Sequence, residues 1–422
     1  MKKVLVVSYR FPPQLTTRSV QVARWVKYLP RYDWEPVVVH ADENTIYNTP
    51  IDYSMNSLIP AKIQLIRVKS FEPRLALALA AKAAPFLLSL PDTAIGWYRP
   101  AYKKSLDILK NQSFDLLFSC AYARTSNLVG LKLKRETGLP WVAYFSDPWL
   151  GSASDVHNPV TRYINGRMER AVIKAADAVI FISEGMRQRF MEKYPTEWMS
   201  KAHIISQCFD PDLVAMFSDD KNDVDKAKFT IVFAGNLYGR LRDLMPLFKA
   251  IRNIVVRQPE IFRSLKVQMV GKIGDTYKKM VAEYGIENVV SIIDTKPYLE
   301  SLSYMAKADA LLSFDSPSEI SSQLHTSKVA EYLGFKKPIL AVTPLDASWV
   351  SVIKRFGGIV VQPNDINGIE QAILTLHRAY NEGNLVKYSY KDEDIKPYSA
   401  TNIVAGLTKI FNDTSGNNSK AI

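Results

Sequence analysis

The sequence predicts an α/β protein built from two Rossmann-like domains, each with a doubly wound parallel sheet, that face each other across a cleft. Short apolar runs alternate with helical patterns in the first half of the chain, and the same alternation begins again in the second half. This alternation indicates parallel sheets, because parallel strands need long crossover connections. A chain of 422 residues is also too long for one compact core and fits two domains of ordinary size.

The predicted strands are apolar runs bounded by polar, glycine or proline residues. In the first half they are residues 4–7, 36–39, 63–68, 116–119, 141–145 and 178–182. In the second half they are residues 229–233, 266–270, 289–293, 310–314, 338–342 and 358–361. Helical patterns occupy residues 19–28 and 127–136. Residues 210–228 are polar and carry charges of both signs, which predicts a linker between a domain at 1–208 and a domain at 209–396.

Positive charge is concentrated in the first half of the chain. The net charge is +12, and the first 200 residues hold 27 Lys and Arg against 17 Asp and Glu. Such a bias favours an anionic partner: a membrane surface, a phosphorylated lipid or nucleic acid. Because no aromatic-basic RNA motif, zinc-finger spacing or dense basic block accompanies it, we expect no nucleic acid partner.

Residues 75–90 form an almost wholly apolar segment. It is too short, and too interrupted by Lys82 and Pro85, to cross about 30 Å of hydrocarbon. Two interpretations stay open: a segment that lies in the membrane interface, or a buried core helix followed by a loop.

The chain is expected to be cytoplasmic, with peripheral contact to the inner face of the membrane. Arg10 follows the first apolar run too soon for a signal peptide. Cys120 and Cys208 are far apart and match no metal-binding spacing, so both are expected to be reduced.

A site for a phosphate and a polyol is predicted within residues 323–341. Gln323, Thr326, Ser327 and Lys328 lead into an amphipathic helix, and Glu331 lies one turn further. The free N–H groups and positive dipole at a helix N-terminus attract phosphate, while a carboxylate accepts hydrogen bonds from hydroxyls. An ordinary strand-helix unit capped by Thr or Ser is the alternative interpretation.

Two strand-to-loop junctions are further candidates. Gly235 follows the strand at 229–233 and allows a close backbone approach, while Arg240 and Arg242 can hold a pyrophosphate. In the first half, the loop at residues 8–19 lacks the glycine-rich fingerprint of NAD and FAD sites. That loop either lines the cleft or is a proline-ordered turn into a capped helix. No Asp-x-Asp or His cluster marks a metal site, so no cofactor is expected.

Short motifs extend along nearly the whole chain: residues 9–13, 34–39, 138–142, 147–149, 176–177, 183–184, 235–238, 327–333 and 337–338. In this order and spacing they resemble the GT-B glycosyltransferases, specifically the retaining glycosyltransferase family 4 of bacterial polysaccharide and lipopolysaccharide biosynthesis. The resemblance implies a GT-B fold with an acceptor-binding domain at 1–208 and a nucleotide-sugar-binding domain at 209–396. Residues 397–422 are expected to form a helix that crosses back to the first domain, and a polar tail.

The resemblance also implies roles for residues around the donor diphosphate. Gly235 matches the glycine of the family, Asn236 stands at its first basic position and Arg242 at its second. Arg240 lies between them and is expected to compensate for Asn236. Arg242 and Lys328 are expected to stabilise the departing diphosphate.

The family uses two Glu residues for the sugar and the nucleoside ribose. Glu331 matches the second, which meets the ribose, whereas Gln323 occupies the place of the first, which meets the sugar. In the acceptor domain, Asn127 stands where the family often has a His. Asp147 either orients or deprotonates the acceptor hydroxyl, or is a buried structural carboxylate.

The activity implied is hexosyltransferase-like: transfer of a sugar from a nucleotide-sugar to a lipid-linked or oligosaccharide acceptor, with retention of configuration and without a required metal. Two other interpretations stay open. One is a nucleotide-sugar epimerase on the same fold. The other is a non-catalytic nucleotide or glycan binder, which the departures at Asn236 and Gln323 support.

Overall fold

The computed structural model describes residues 1–46, 49–71, 90–121, 123–150, 159–218, 227–237, 243–315 and 327–417. The chain divides into two compact units, Met1–Gln207 with Ala400–Ile422, and Cys208–Ser399. The apolar segment predicted at 75–90 falls outside the described residues except for Leu90, so both interpretations of it stay predictions.

The first unit contains a seven-stranded parallel sheet with the order β3-β2-β1-β4-β5-β6-β7. Its strands are β1 Lys2–Ser8, β2 Trp34–Ala41, β3 Gln64–Val68, β4 Leu116–Ala121, β5 Trp141–Phe145, β6 Ala178–Phe181 and β7 Ala202–Ile204. The central strands are buried on both faces, as expected for a sheet covered by helices on each side.

The helices of the first unit are α1 Thr17–Tyr28, α2 Tyr98–Asn111, α3 Arg124–Thr137, α4 Pro159–Ala175, α5 Glu184–Met191 and, from the end of the chain, α14 Ala400–Asn417. Helices α1 and α14 pack together against one face of the sheet. On this face Phe118 of β4 contacts both helices, with ring centroids 5.8 Å from Trp25 of α1 and 5.1 Å from Phe411 of α14. Burial of these large rings accounts for the attachment of the C-terminal helix to the first unit.

The second unit contains a six-stranded parallel sheet with the order β10-β9-β8-β11-β12-β13. Its strands are β8 Phe229–Ala234, β9 Leu265–Val270, β10 Val290–Ile293, β11 Ala310–Phe314, β12 Ile339–Val342 and β13 Ile359–Val361. Its helices are α6 Pro211–Ser218, α7 Met245–Arg257, α8 Asp275–Glu283, α9 Tyr298–Lys307, α10 Ser327–Phe335, α11 Val350–Arg355, α12 Ile366–Asn381 and α13 Asp392–Ile395.

The predicted fold class, two Rossmann-like parallel-sheet domains, is confirmed. Each of the predicted strands is present, and its ends differ from the prediction by at most two residues. The short strand β7 was not predicted, because three residues are too few to show an apolar period. Among the described residues, no helix is both long and apolar enough to cross a bilayer. Cys120 and Cys208 are both buried and are not joined by a disulfide.

The predicted linker at 210–228 is wrong over its first part, where α6 forms. The side chain of Asp210 accepts hydrogen bonds from the backbone N–H groups of Asp212 and Leu213, at 3.0 and 3.3 Å, and so caps the helix. Leu213 is buried, and α6 packs on α9 and α10. A capping Asp followed by Pro211 at the first helical position is a typical helix start. The prediction missed it because residues 210–228 as a whole are polar and charged.

Candidate functional site

The strand order of the second sheet reverses between β8 and β11, and ligands of open parallel sheets bind beyond the strand ends at such a point. The two strands are paired only where Ile231 faces Ala310 and Val232 faces Leu311. Their pairing therefore stops before the carboxyl ends of both strands.

Tyr332 of α10 connects these two strands beyond their last pair. Its hydroxyl accepts a hydrogen bond from the N–H of Ala234 at 3.2 Å and donates one to the carbonyl of Leu312 at 3.1 Å. The side chain is fully buried. Because α10 also carries Lys328 and Glu331, Tyr332 fixes both predicted donor residues relative to the strand ends.

Gly235, the residue after β8, leaves space for the side chain of Lys328. A Cβ atom at Gly235 would lie 1.9 Å from Cε and 2.0 Å from Nζ of Lys328, and the backbone has a φ of +146°. Only glycine meets both conditions without strain. The ammonium lies 4.6 Å from the centroid of the Phe233 ring, within cation–π distance. The structure therefore brings together Gly235 and Lys328, which the sequence predicts as parts of one site.

A second glycine supports the same loop from the neighbouring strand. Gly271 follows β9 with a φ of +134°, and a Cβ there would lie 2.3 Å from the carbonyl oxygen of Gly235. The side-chain oxygen of Asn236 accepts a hydrogen bond from the N–H of Lys272 at 3.0 Å. Asn236 therefore joins the loops after β8 and β9. Gly271 was not predicted, since a glycine after a strand carries no distinctive sequence signal.

Glu331 is held in place by a tyrosine from the preceding helix. The hydroxyl of Tyr298, the first residue of α9, donates to Oε1 of Glu331 at 2.9 Å. Ser327 is the first residue of α10. The remaining predicted donor residues lie outside the described part of the chain, and their roles stay predictions: Arg240, Arg242, Gln323 and Thr326.

In the first unit, Asn127 is fully buried between β4 and β5. Its side-chain oxygen accepts from the Ser119 hydroxyl at 2.6 Å, and its side-chain nitrogen donates to the carbonyl of Tyr144 at 3.3 Å. Ser119 in turn accepts from the indole N–H of Trp141 at 2.8 Å. These contacts make Asn127 a positioning residue for the end of β5, while its predicted catalytic role stays a prediction.

Asp147 lies two residues beyond β5 and is half-buried. Its Oδ2 lies 2.7 Å from the hydroxyl of Ser146. The following Trp149 is buried, and its indole N–H donates to the side-chain oxygen of Asn165 in α4 at 2.9 Å. The Trp149 anchor holds the loop, so Asp147 is presented at the carboxyl end of the sheet by a fixed backbone.

No group of three or more His, Cys, Asp or Glu side chains in the described residues is arranged to hold a metal ion. The absence of a required metal stays a prediction.

Comparison with known proteins supports a glycosyltransferase architecture. Residues 61–213 match the model of Glycosyltransferase Family 4. No curated protein matches the chain. Among solved structures, a sucrose-phosphate synthase from Thermosynechococcus elongatus is 12% identical, with a TM-score of 0.65 over 99% of this chain and 100% of that one. A glycosyltransferase from Rickettsia africae is 15% identical, with a TM-score of 0.65 over 98% of each chain. The chain has the GT-B fold.

The GT-B fold is shared by enzymes of more than one class. A UDP-N-acetylglucosamine 2-epimerase is 13% identical, with a TM-score of 0.57 over 99% of this chain and 97% of that one. At such identities the similarity establishes the fold of this GT-B chain and not its activity. Tyr332, Tyr298 and Gly271 are the residues of this site that sequence reasoning missed.

Proposed function

We propose that this protein is a retaining glycosyltransferase that moves a sugar from a nucleotide-sugar to a lipid-linked glycan acceptor in cell-surface polysaccharide biosynthesis. The observation that carries the proposal is the ammonium of Lys328 over Gly235, at the point where the second sheet reverses its strand order. Glu331 lies one turn further along the same helix. A cation and a carboxylate in this order suit the diphosphate and the hydroxyls of a nucleotide-sugar. The family match at residues 61–213 favours glycosyl transfer.

The proposed chemistry depends on stabilising the leaving group. When the bond between the anomeric carbon and the diphosphate oxygen breaks, negative charge accumulates on the diphosphate. Lys328 is positioned to counter that charge, and removal of such a preorganised donor typically costs about 3–4 kcal/mol of transition-state stabilisation. Arg240 and Arg242 follow Gly235 in sequence, and we assign them to the same diphosphate.

On the acceptor side, we assign Asp147 to the acceptor hydroxyl, as the group that orients it and accepts its proton. Asn127 contributes indirectly by holding the end of β5. The lipid-linked acceptor places the protein at the inner membrane face, and the basic first 200 residues suit an anionic surface. The reaction is expected to proceed unchanged in the presence of EDTA, because no step in this scheme uses a metal.

The experiment that tests the proposal is incubation of the protein with radiolabelled UDP- and GDP-sugars and a membrane lipid extract. Transfer of label into lipid supports glycosyl transfer. Label that appears in an isomerised free nucleotide-sugar would instead support the epimerase alternative. That alternative is included because a UDP-N-acetylglucosamine 2-epimerase has a similar fold. Tight nucleotide binding without turnover would support a non-catalytic binder and refute the proposal.

Variants at two lysines of the second unit test the placement of the donor. Lys328→Met is expected to lower kcat/KM by about 100- to 1,000-fold. Lys354→Met, which removes the same charge from an exposed position in α11, is expected to leave it unchanged. Equal nucleotide affinity and activity in both variants would rule out Lys328 as the diphosphate ligand.

A further inference from the structure

The first unit buries a positive charge beside neutral partners. Arg18 lies in the first turn of α1 and is only 5% exposed. Its Nη1 donates to the hydroxyl of Tyr144 at 3.0 Å and to the side-chain oxygen of Gln21. Among the described residues, its buried Nε has no hydrogen-bond partner. Within the described ranges, no carboxylate forms an ion pair with this guanidinium.

The two partners of Arg18 supply no negative charge. Tyr144 is fully buried, and burial is the main cause that raises the pKa of its hydroxyl to about 12, so it is neutral near pH 7. Gln21 is an amide, and its nitrogen is buried without a partner. The Arg18 guanidinium also lies 5.1 Å from the Tyr144 ring centroid. Among the described residues, both hydrogen-bond partners of this buried charge are therefore neutral. Such burial is costly, so a compensating anion would be bound favourably.

The surroundings of Arg18 add to its positive potential. The first turn of α1 contains no acidic residue, and Thr16 caps the helix by accepting from the N–H of Ser19. The positive end of the helix dipole therefore adds to the guanidinium charge. Asp147 lies three residues beyond Tyr144, just past the end of β5, and its Oδ2 lies 2.7 Å from the hydroxyl of Ser146. A cation and the proposed acceptor-binding carboxylate thus flank the end of β5.

We propose that Arg18 binds an oxyanion of the acceptor, a phosphate ester or a carboxylate, while Asp147 meets the acceptor hydroxyl. This inference rests on the proposed function and narrows its acceptor to an anionic one. A guanidinium matches both oxyanions because its planar N–H groups form paired hydrogen bonds with two oxygens. Tyr144 and Gln21 position the guanidinium without neutralising it. Acceptors without an anionic group are expected to bind poorly.

The test measures the melting temperature of the full chain in inorganic phosphate and, separately, in acetate. At roughly ten times the Kd, a bound oxyanion is expected to raise the melting temperature by about 3–6 °C. Arg18→Met should abolish this increase. Gln21→Glu should abolish it too, since it keeps the side-chain shape and supplies the missing carboxylate. Without added anion, Gln21→Glu should melt at or above the wild-type temperature.

Matched variants separate this site from general salt effects and from the donor site. Arg31→Gln removes one charge three residues beyond the C-terminal end of α1 and should keep the full increase. Lys328→Met should also keep the part of the melting-temperature increase that depends on Arg18. An increase that persists in both Arg18→Met and Gln21→Glu, or that only Lys328→Met removes, would overturn the inference.

Titration with UDP and GDP makes the two proposals separable. Wild type and Arg18→Met should bind the nucleotide equally, because Arg18 lies in the first unit. Nucleotide binding without an Arg18-dependent phosphate effect would reject the anion site and leave the transferase proposal intact. An Arg18-dependent effect without binding of any nucleotide-sugar would reject the transferase proposal and retain the anion site.

Discussion

Substitution of Gly235 by alanine tests how the proposed donor site is built. The new methyl carbon would lie 1.9 Å from Cε of Lys328, far inside the contact distance of about 3.5–4.0 Å between carbon atoms. The lysine must therefore move by roughly 1.6 Å or more. Alanine must also adopt a φ of +146°, which the glycine adopts freely.

The two effects have different consequences. The positive φ should lower the free energy of unfolding by about 1–2 kcal/mol, the usual cost of a left-handed backbone for a residue with a Cβ. Displacement of Lys328 should lower kcat/KM by about 100-fold, because a shift of roughly 1 Å in a positioned catalytic group can have that effect. Nucleotide affinity should fall as well.

Gly274→Ala is the matched control. Gly274 also belongs to the second unit and has a φ of +97°, but a Cβ there would meet no atom within 4 Å. It should therefore lose stability to a similar extent and keep its activity. Urea unfolding measures stability, UDP and GDP titration measures binding, and lipid labelling measures turnover. The reasoning is refuted if Gly235→Ala retains the nucleotide affinity and kcat/KM of Gly274→Ala.

Three further substitutions have defined outcomes. Tyr332→Phe removes the two hydrogen bonds of its hydroxyl and should lower the free energy of unfolding in urea by about 1–3 kcal/mol; an unchanged value would contradict its role between β8 and β11. Asp147→Asn should lower kcat by about 100- to 10,000-fold with unchanged UDP or GDP affinity, and a loss of that affinity instead would argue against acceptor-side placement. Burial lowers the pKa of His40 from 6.5 to about 4. Between these two pH values the unfolded chain binds a proton at His40 that the folded chain does not, so the wild type should lose ~2–3 kcal/mol of stability as the pH falls from 6.5 to 4. His40→Gln should lose less, as measured by urea unfolding at several pH values, and equal losses would contradict the cause.

The fold class was predictable because its evidence is local and repeated. The apolar run that becomes β1 and the one that becomes β8 each begin a strand-helix series, and each series supplies the strands of one sheet. Strand β7 and helix α6 were missed for a local reason as well. The strand is only three residues long, and Asp210 reads as a charged linker residue until its capping hydrogen bonds are seen.

The candidate donor site was only partly predictable. Gly235, Lys328 and Glu331 follow from residue type and from their position relative to a strand or helix end. Tyr332 does not, because its hydroxyl contacts the backbone of Ala234, which is 98 positions away in sequence. A buried tyrosine in an amphipathic helix predicts core packing, and only the three-dimensional arrangement shows that its hydroxyl replaces strand pairing.

The two cationic positions differ in their neighbours, and this difference suggests different ligands. Lys328 shares its helix with Glu331, so that site offers a cation and a carboxylate and favours a ligand with both phosphate and hydroxyl groups. Arg18 has an amide and a phenol as hydrogen-bond partners, and in the proposed complex the acceptor's oxyanion supplies its counter-charge. If the acceptor's oxyanion binds at Arg18 as proposed, its charge offsets part of the cost of burying the guanidinium. Acceptor affinity should therefore depend on the acceptor's charge, and donor affinity should not depend on Arg18.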